Sequence, residues 1–282
     1  MMTFRQLPAP GGLFWAALRS RKPRLVPSGV RVPRLEARWT GVRLDRAHLR
    51  AYRELCGFGE GEGVPVTYPH VLVSALHLAL LTSPGFPVRL LGLVHLRNRI
   101  ELLTELTPAT GGEVHAWLEG HLDEERMQTF DLHTEWRDGS TVCWRELTRF
   151  IAKKPAPRRS GAKPAPAERA APTATATLAV PPGLGRRYGR VSGDVNPIHL
   201  FDLTAKLFGF QRAIIHGMWT LARCAAELKP TAPCVLDVHF KLPVFIPSTV
   251  TLERVAVPGG EDFTVVEARG EKPHLAGTLR SG

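Results

Sequence analysis

Twice along this chain an apolar segment of helical length is followed by a strand-like segment containing Val-His, and this repetition limits the fold more than any other feature. In the first case Val71 to Leu81 precedes Leu91-Gly92-Leu93-Val94-His95-Leu96-Arg97; in the second, Met218 to Leu228 precedes Val235-Leu236-Asp237-Val238-His239-Phe240-Lys241. Setting His95 against His239 also pairs Arg97 with Lys241. A repeated order of elements points to two copies of one supersecondary unit.

Each Val-His segment is followed by short alternating runs: Glu113 to Glu119, Thr129 to Arg137 and Thr141 to Phe150 in the first copy, then Thr249 to Val257, Phe263 to Ala268 and His274 to Leu279 in the second. Period-two alternation broken by glycine and proline marks antiparallel strands with one buried face. One apolar helix followed by a meander of strands predicts an α+β unit in which a sheet wraps the helix. From Gly217 to Leu228, the residues Met218, Trp219, Leu221, Ala222, Cys224, Ala225, Ala226 and Leu228 leave little room for a polar face, so this helix should be buried. Between the copies the sequence turns to Lys-Lys-Pro-Ala-Pro-Arg-Arg-Ser-Gly-Ala-Lys-Pro-Ala-Pro-Ala, which has no hydrophobic period and reads as a linker. The expected organisation is an amino-terminal extension (1–30), a first domain (31–152), a basic Pro/Ala-rich linker (153–177) and a second domain (178–282).

Charge and cysteine usage narrow the function. The net charge of +11 is compatible with nucleic acid, anionic lipid or a small phosphorylated ligand. Many of the basic residues lie in Arg19 to Arg53 and in Lys153 to Arg169, a terminal region and a linker rather than a recognition helix, so no specific nucleic-acid partner is expected. Cys56, Cys143, Cys224 and Cys234 have neither zinc-site spacing nor the density of a secreted disulfide scaffold, and read as reduced thiols of a cytoplasmic protein. No uncharged run approaches the roughly 18 to 20 residues of a transmembrane helix. The remaining histidines, His70, His77, His95, His115, His121, His133, His239 and His274, show no metal-ligand spacing, and no glycine loop precedes a phosphate-binding lysine.

The chemistry gathers in Ser192-Gly193-Asp194-Val195-Asn196-Pro197-Ile198-His199. Leu184 to Val191 can form a short helix, stopped at Ser192-Gly193 by a glycine able to take the left-handed conformation. Asn196-Pro197 is a helix start, with asparagine capping free amides and proline at the first helical position. Asp194 and His199 then sit on adjoining helix ends and can act as an acid/base pair on one water, or merely cap those ends. The helix from Pro197 should end near Phe208-Gly209, and Ala213-Ile214-Ile215 reads as extended. His216-Gly217-Met218 opens the buried helix, where the Gly217 amide either donates to an oxyanion or serves only close packing.

The run Tyr188 to His199, with Ala205, Gly209-Phe210 and Ile215-His216-Gly217-Met218, closely resembles the MaoC-like, R-specific enoyl-thioester hydratase/dehydratase family. The resemblance implies a double hot-dog fold, antiparallel sheets each wrapped around a long apolar helix. It implies reversible hydration of 2-enoyl thioesters, carried by coenzyme A or acyl carrier protein, with no cofactor and no metal. By position, Asp194 and His199 resemble the catalytic pair and Gly217 the oxyanion amide; Ser192, Asn196 and His216 would bind substrate or support the site. Phe201 departs from the family pattern, which more often has an acidic or small polar residue there.

The first copy lacks the motif. Asp45 to Leu55 resembles the preceding helix, but Cys56-Gly57-Phe58 stands where Ser192-Gly193-Asp194 would, and Asn-Pro-Ile-His is missing. A degenerate half that supports the active one and shapes its acyl tunnel is expected, with a homodimer of double hot-dog chains as a further expectation. The alternatives are a non-catalytic partner subunit that binds acyl thioesters, and a thioesterase.

Overall fold

The computed structural model describes residues 1–61, 63–155, 171–267 and 272–282. The first half runs β1 (Met2–Phe4), α1 (Pro10–Leu18), β2 (Leu35–Thr40), α2 (Arg46–Cys56), α3 (Tyr68–Leu72), α4 (Ser74–Thr82), β3 (Leu93–Leu102), β4 (Glu113–Asp123), β5 (Met127–Asp138) and β6 (Thr141–Lys153). The second runs β7 (Ala174–Val180), α5 (Leu184–Ser192), α6 (Pro197–Leu200), α7 (Asp202–Leu207), α8 (Gly217–Leu228), β8 (Cys234–Phe240), β9 (Ser248–Val257), β10 (Gly260–Glu267) and β11 (Pro273–Ser281).

Among the described residues all strands join one sheet in the order β1-β2-β4-β5-β6-β3-β8-β11-β10-β9-β7. Read outward from the β3/β8 junction, the two halves follow the same path, as an internal repeat requires. The two Val-His strands pair with each other at the centre, antiparallel, with Arg97 opposite His239 and Leu102 opposite Cys234. Pairing is antiparallel throughout except between β1 and β2. This is the α+β double hot-dog arrangement, with the two sheets fused edge to edge.

The helices bury their apolar faces as their sequences demand. On α8, Met218, Trp219, Leu221, Ala222, Cys224, Ala225 and Leu228 are buried, and α4 buries Ala75, Leu76, Ala79, Leu80 and Leu81. One apolar cluster takes residues from both halves, among them Tyr52, Leu80, Trp144, Tyr188, Trp219 and Leu252. The buried indoles satisfy their N–H groups on carbonyls, Trp136 on Gly111 and Trp144 on Val66.

Several boundaries differ from the sequence-based expectation. The helix expected over Val71 to Leu81 is two helices, interrupted at Val73 (φ −93°, ψ 2°). The helix expected to run unbroken from Pro197 is split at Phe201, which is extended (φ −145°, ψ 147°). Lys153 belongs to β6, and Ala174–Thr177 belong to β7 rather than to the linker; residues 156–170 of that linker lie outside the described residues, as does Ala268. Within the amino-terminal extension, Pro10–Leu18 forms α1, which buries Phe14 and Ala17. Among the described residues no helix is long and apolar enough to cross a membrane.

Candidate active site

The site is built on α5. This helix ends at Gly193, which takes the left-handed conformation (φ 74°) and turns the chain into Asp194. The Asp194 N–H donates to Ser192 Oγ (3.2 Å), and its own Oδ1 accepts the Asn196 N–H (3.0 Å). Asn196 Oδ1 in turn accepts the Ile198 N–H (3.4 Å), which starts α6 as the Asn-Pro pair predicts. Ser192 and Asn196 are therefore turn-builders, each with its side-chain oxygen accepting a backbone N–H.

His199 lies on α6 and is buried. Its Nδ1 donates to the carbonyl of Ile214 (2.8 Å), so the proton resides on Nδ1 and the Nε2 lone pair is free. That Nε2 stands 4.0 Å from Asp194 Oδ2. His216 joins it: its Nε2 donates to the Asp194 carbonyl (3.0 Å) and lies 3.8 Å from Oδ2. The two imidazoles stack with centroids 3.8 Å apart, and the Tyr188 ring closes the stack at 4.9 Å from His216. Asp194, His199 and His216 are thus brought together, and Gly217 follows His216 directly.

Electrostatics set the protonation states. Burial pushes the Asp194 carboxyl up, but the imidazoles of His216 and His199 and the Asn196 N–H outweigh it and hold the group below its usual range. Burial lowers His199, partly offset by Asp194 and the Ile214 carbonyl. His216 is pushed down to about 3 by burial and by His199 beside it. At neutral pH the site therefore contains one carboxylate and two neutral imidazoles.

Gly217 is the first residue of α8, and its N–H finds no acceptor among the described residues, as befits the first turn of a helix. A Cβ there would meet the Phe240 ring at 2.9 Å, so glycine lets the aromatic ring lie against the helix start. A pocket of about 310 Å³ opens on His199, walled by Arg186, Phe201, Ala213, Ile246 and Pro247. A larger recess of about 440 Å³ at Gly41–Leu44 and Pro108–Gly112 has no acid/base side chain except Arg43 and lies apart from this constellation.

The first half braces the turn. Ser74 Oγ donates to the Ser192 carbonyl (2.8 Å) and His48 Nε2 to the Val191 carbonyl (2.7 Å), while Pro10 packs on Gly193. Its own version of the turn is recognisable, with α2 ending at a left-handed Gly57 (φ 73°). There the Arg223 guanidinium packs on Gly57 and donates to the Cys56 carbonyl (2.9 Å), and Phe58 replaces the carboxylate.

Sequence reasoning missed Gly185 and Gly189. A Cβ at Gly185 would overlap the carbonyl oxygen of His199, and one at Gly189 would come within 2.9 Å of the Asp194 carbonyl oxygen. Their spacing of four along α5, which places both on one face, was the available signal. It also passed over His48 and Ser74, for which no local pattern exists. Among the described residues, two groups have ligand atoms close enough to hold a metal, each within 4.8 Å: Asp194, His199 and His216, and, in the first half, His70, His77 and Glu146.

Comparison with known proteins gives concordant matches. The MaoC-like domain family matches residues 163–276. The chain is 33% identical over 269 residues to 3-hydroxyacyl-thioester dehydratase X of Mycobacterium tuberculosis, covering 91% of this chain and 92% of that protein. It is 38% identical over 71 residues to the peroxisomal enoyl-CoA hydratase 2 of Arabidopsis thaliana, 23% of each. The crystal structure of the Mycobacterium tuberculosis protein HtdX superposes with a TM-score of 0.77 at 30% identity, over 88% of this chain and 100% of that one. A MaoC-like dehydratase from Phytophthora capsici shares the fold, with a TM-score of 0.67 at 17% identity over 89% and 97% of the two chains.

Proposed function

Because the chain belongs to the MaoC-like hydratase/dehydratase family, we propose that Asp194 and His199 add water reversibly to a 2-enoyl thioester, giving the (3R)-hydroxyacyl thioester. The chain is a hydro-lyase of fatty-acid metabolism acting on acyl thioesters; the readings as a thioesterase or a non-catalytic subunit are not favoured.

The observation that carries the assignment of roles is the convergence of two unprotonated atoms, His199 Nε2 and Asp194 Oδ2, at 4.0 Å. A water about 2.8 Å from each would donate one hydrogen to the imidazole and the other to the carboxylate. As its oxygen bonds to the β-carbon, one of its protons passes to the pair. The double bond shifts, and negative charge develops on the thioester oxygen, where the Gly217 N–H at the start of α8 stabilises it. The proton held by the pair then goes to the α-carbon from the same face, a syn addition. Dehydration is the reverse. His216 orients Asp194 through its carbonyl, and Ser192 and Asn196 fix the turn. No step requires a metal or a redox cofactor.

The test is hydration of crotonyl-CoA, followed by loss of enoyl-thioester absorbance, with the configuration of the product determined. Formation of the (3R)-hydroxyacyl thioester without release of free thiol supports the reading; the (3S) product or free thiol sinks it.

The carrier is coenzyme A or acyl carrier protein, and exposed Arg186 on the pocket wall suits the phosphates of either. The division into a supporting domain (31–153), a linker and a catalytic domain (174–282) rests on the strand bounds of β6 and β7 and on the intact motif occurring only in the second half. Buried free cysteines support a cytoplasmic location, and a homodimer of double hot-dog chains is part of the same reading.

A further inference from the structure

The supporting half contains a buried polar cluster that the reaction above does not use. Glu146 on β6 has a side chain with 0% exposure, and its Oε1 accepts from both His70 Nδ1 (2.6 Å) and Asn98 Nδ2 (2.6 Å). Burial alone would raise this carboxyl, but His70, His77 and Asn98 hold it down to about 2, so it is charged. Asn98 also donates to Thr148 Oγ1 (3.2 Å), and His77 Nε2 bonds Thr134 Oγ1 (2.8 Å).

Two atoms of this cluster have no partner: Glu146 Oε2 and Asn98 Oδ1, both buried. The assignment of the Asn98 amide is not arbitrary, because only its nitrogen can bond a carboxylate; the orphan must be the oxygen. Both orphans are acceptors on bonded neighbours. A buried carboxylate oxygen without a donor is costly, so the place demands a group that supplies hydrogen. Another acceptor, such as a carboxylate or an ether, would make matters worse.

The cluster abuts the reaction centre. His70 stacks at 5.9 Å on His95, His95 meets the Phe240 ring at 4.8 Å, and Phe240 lies against the Gly217 amide end of α8. One turn beyond His70, Ser74 bonds the Ser192 carbonyl beside Asp194. From the Gly217 amide the line of contact to Glu146 therefore runs through Phe240, His95 and His70.

Building on the proposed hydratase function, we infer that Glu146 and Asn98 form a specificity site for a hydroxyl group on the acyl chain, whose O–H donates to the orphaned oxygens. The substrates of this chain are then hydroxylated acyl thioesters rather than plain alkyl ones. A divalent cation is the rival occupant, since His70, His77 and Glu146 could ligate one, but it would have to displace the His70–Glu146 and His77–Thr134 bonds.

The experiment compares plain medium-chain 2-enoyl-CoA thioesters with isomers bearing one hydroxyl at successive carbons, on the full chain and on Glu146→Gln. At least one isomer should exceed the plain chain of equal length in kcat/KM by about ten-fold or more, the scale of a hydrogen bond to a charged group. In Glu146→Gln, whose amide places a donor where an acceptor was, that ratio should fall towards one. Equal or better turnover of the plain chains across the series overturns the inference while leaving the hydratase reading intact. So does a stoichiometric divalent metal in the purified protein, found by elemental analysis. Should Glu146→Gln fail to fold, the wild-type series decides alone. Should nothing turn over, calorimetric binding of the saturated hydroxylated and plain thioesters makes the same comparison, and it is then the hydratase reading that fails.

Discussion

Nε2 of His199 stands 4.0 Å from Oδ2 of Asp194, beyond direct hydrogen bonding but close enough for one water to touch both. Each is held there by backbone: His199 through the Ile214 carbonyl, Asp194 through the Asn196 N–H. The reactive atoms are thereby separated from the atoms that position them, and substitutions can separate chemistry from fold.

Asp194→Asn retains an acceptor for the Asn196 N–H, and His199→Gln can still donate to Ile214. Both variants should fold with nearly unchanged melting temperature yet lose at least a hundred-fold in kcat with crotonyl-CoA, the usual scale of a lost acid/base group. Spectrophotometric rates alongside thermal melts read both halves of this expectation. Full activity in either variant would end its assigned role.

Gly217→Ala keeps the amide but forces the Phe240 ring, 2.9 Å from the new Cβ, to move or the helix start to shift. A displacement of a fraction of an ångström at an oxyanion donor should lower kcat by roughly ten- to a hundred-fold with little change in KM. Adding Phe240→Leu should restore part of the loss, which steady-state kinetics of the single and double variants would reveal. No recovery would indicate that the ring is not the obstacle.

How much of this was legible in the sequence depends on where each constraint acts. The Gly193 turn, the Asn196 cap and the repeat that set β3 beside β8 are local or periodic features, and each was readable from spacing. The break at Phe201 was not, because Asp202 Oδ1 bonds the Ala213 N–H (2.9 Å) across a loop, a contact with no local signature. For the same reason nothing in the first half announced that Ser74 and His48 would brace the catalytic turn. The histidines set aside for lack of metal spacing, His70, His77 and His95, proved to be packed together from α3, α4 and β3. Spacing along the chain carries no information about elements that meet only through the tertiary fold.

Three buried histidines make the protein sensitive to acid. Burial lowers His77 to about 4 and both His95 and His216 to about 3, from a usual 6.5, so all three remain neutral in the folded chain. Above pH 6.5 they are neutral folded or unfolded and contribute no pH dependence. As pH falls below 6.5 the unfolded chain takes up protons that the folded one refuses, and stability drops until the folded values are reached. At about 1.4 kcal/mol per pH unit per group, the three together cost the fold several kcal/mol by pH 5. Glu146, held at about 2, adds a further loss below its usual 4.5. Denaturant melts between pH 8 and about pH 4.5 should therefore show a steep decline beginning near 6.5; a flat profile across that range would contradict the buried neutral state.

Gly185 tests whether α5 is a platform for the site rather than a mere neighbour. Its Cα faces the carbonyl oxygen of His199, and a Cβ there would overlap that oxygen and press on Ile246, 3.0 Å away. Neither obstacle is the free end of a flexible chain: one is backbone, the other a buried side chain that walls the pocket beside His199. Gly185→Ala should accordingly push α6 outward and destabilise the protein by about 1–3 kcal/mol, as overpacking generally does. It should also carry His199 away from Asp194. Because alanine favours helices over glycine, propensity alone predicts the opposite sign for stability. A lowered melting temperature together with reduced kcat would show that backbone contact between α5 and α6 sets the 4.0 Å separation, whereas a stabilised, fully active variant would show that α6 finds its place without α5.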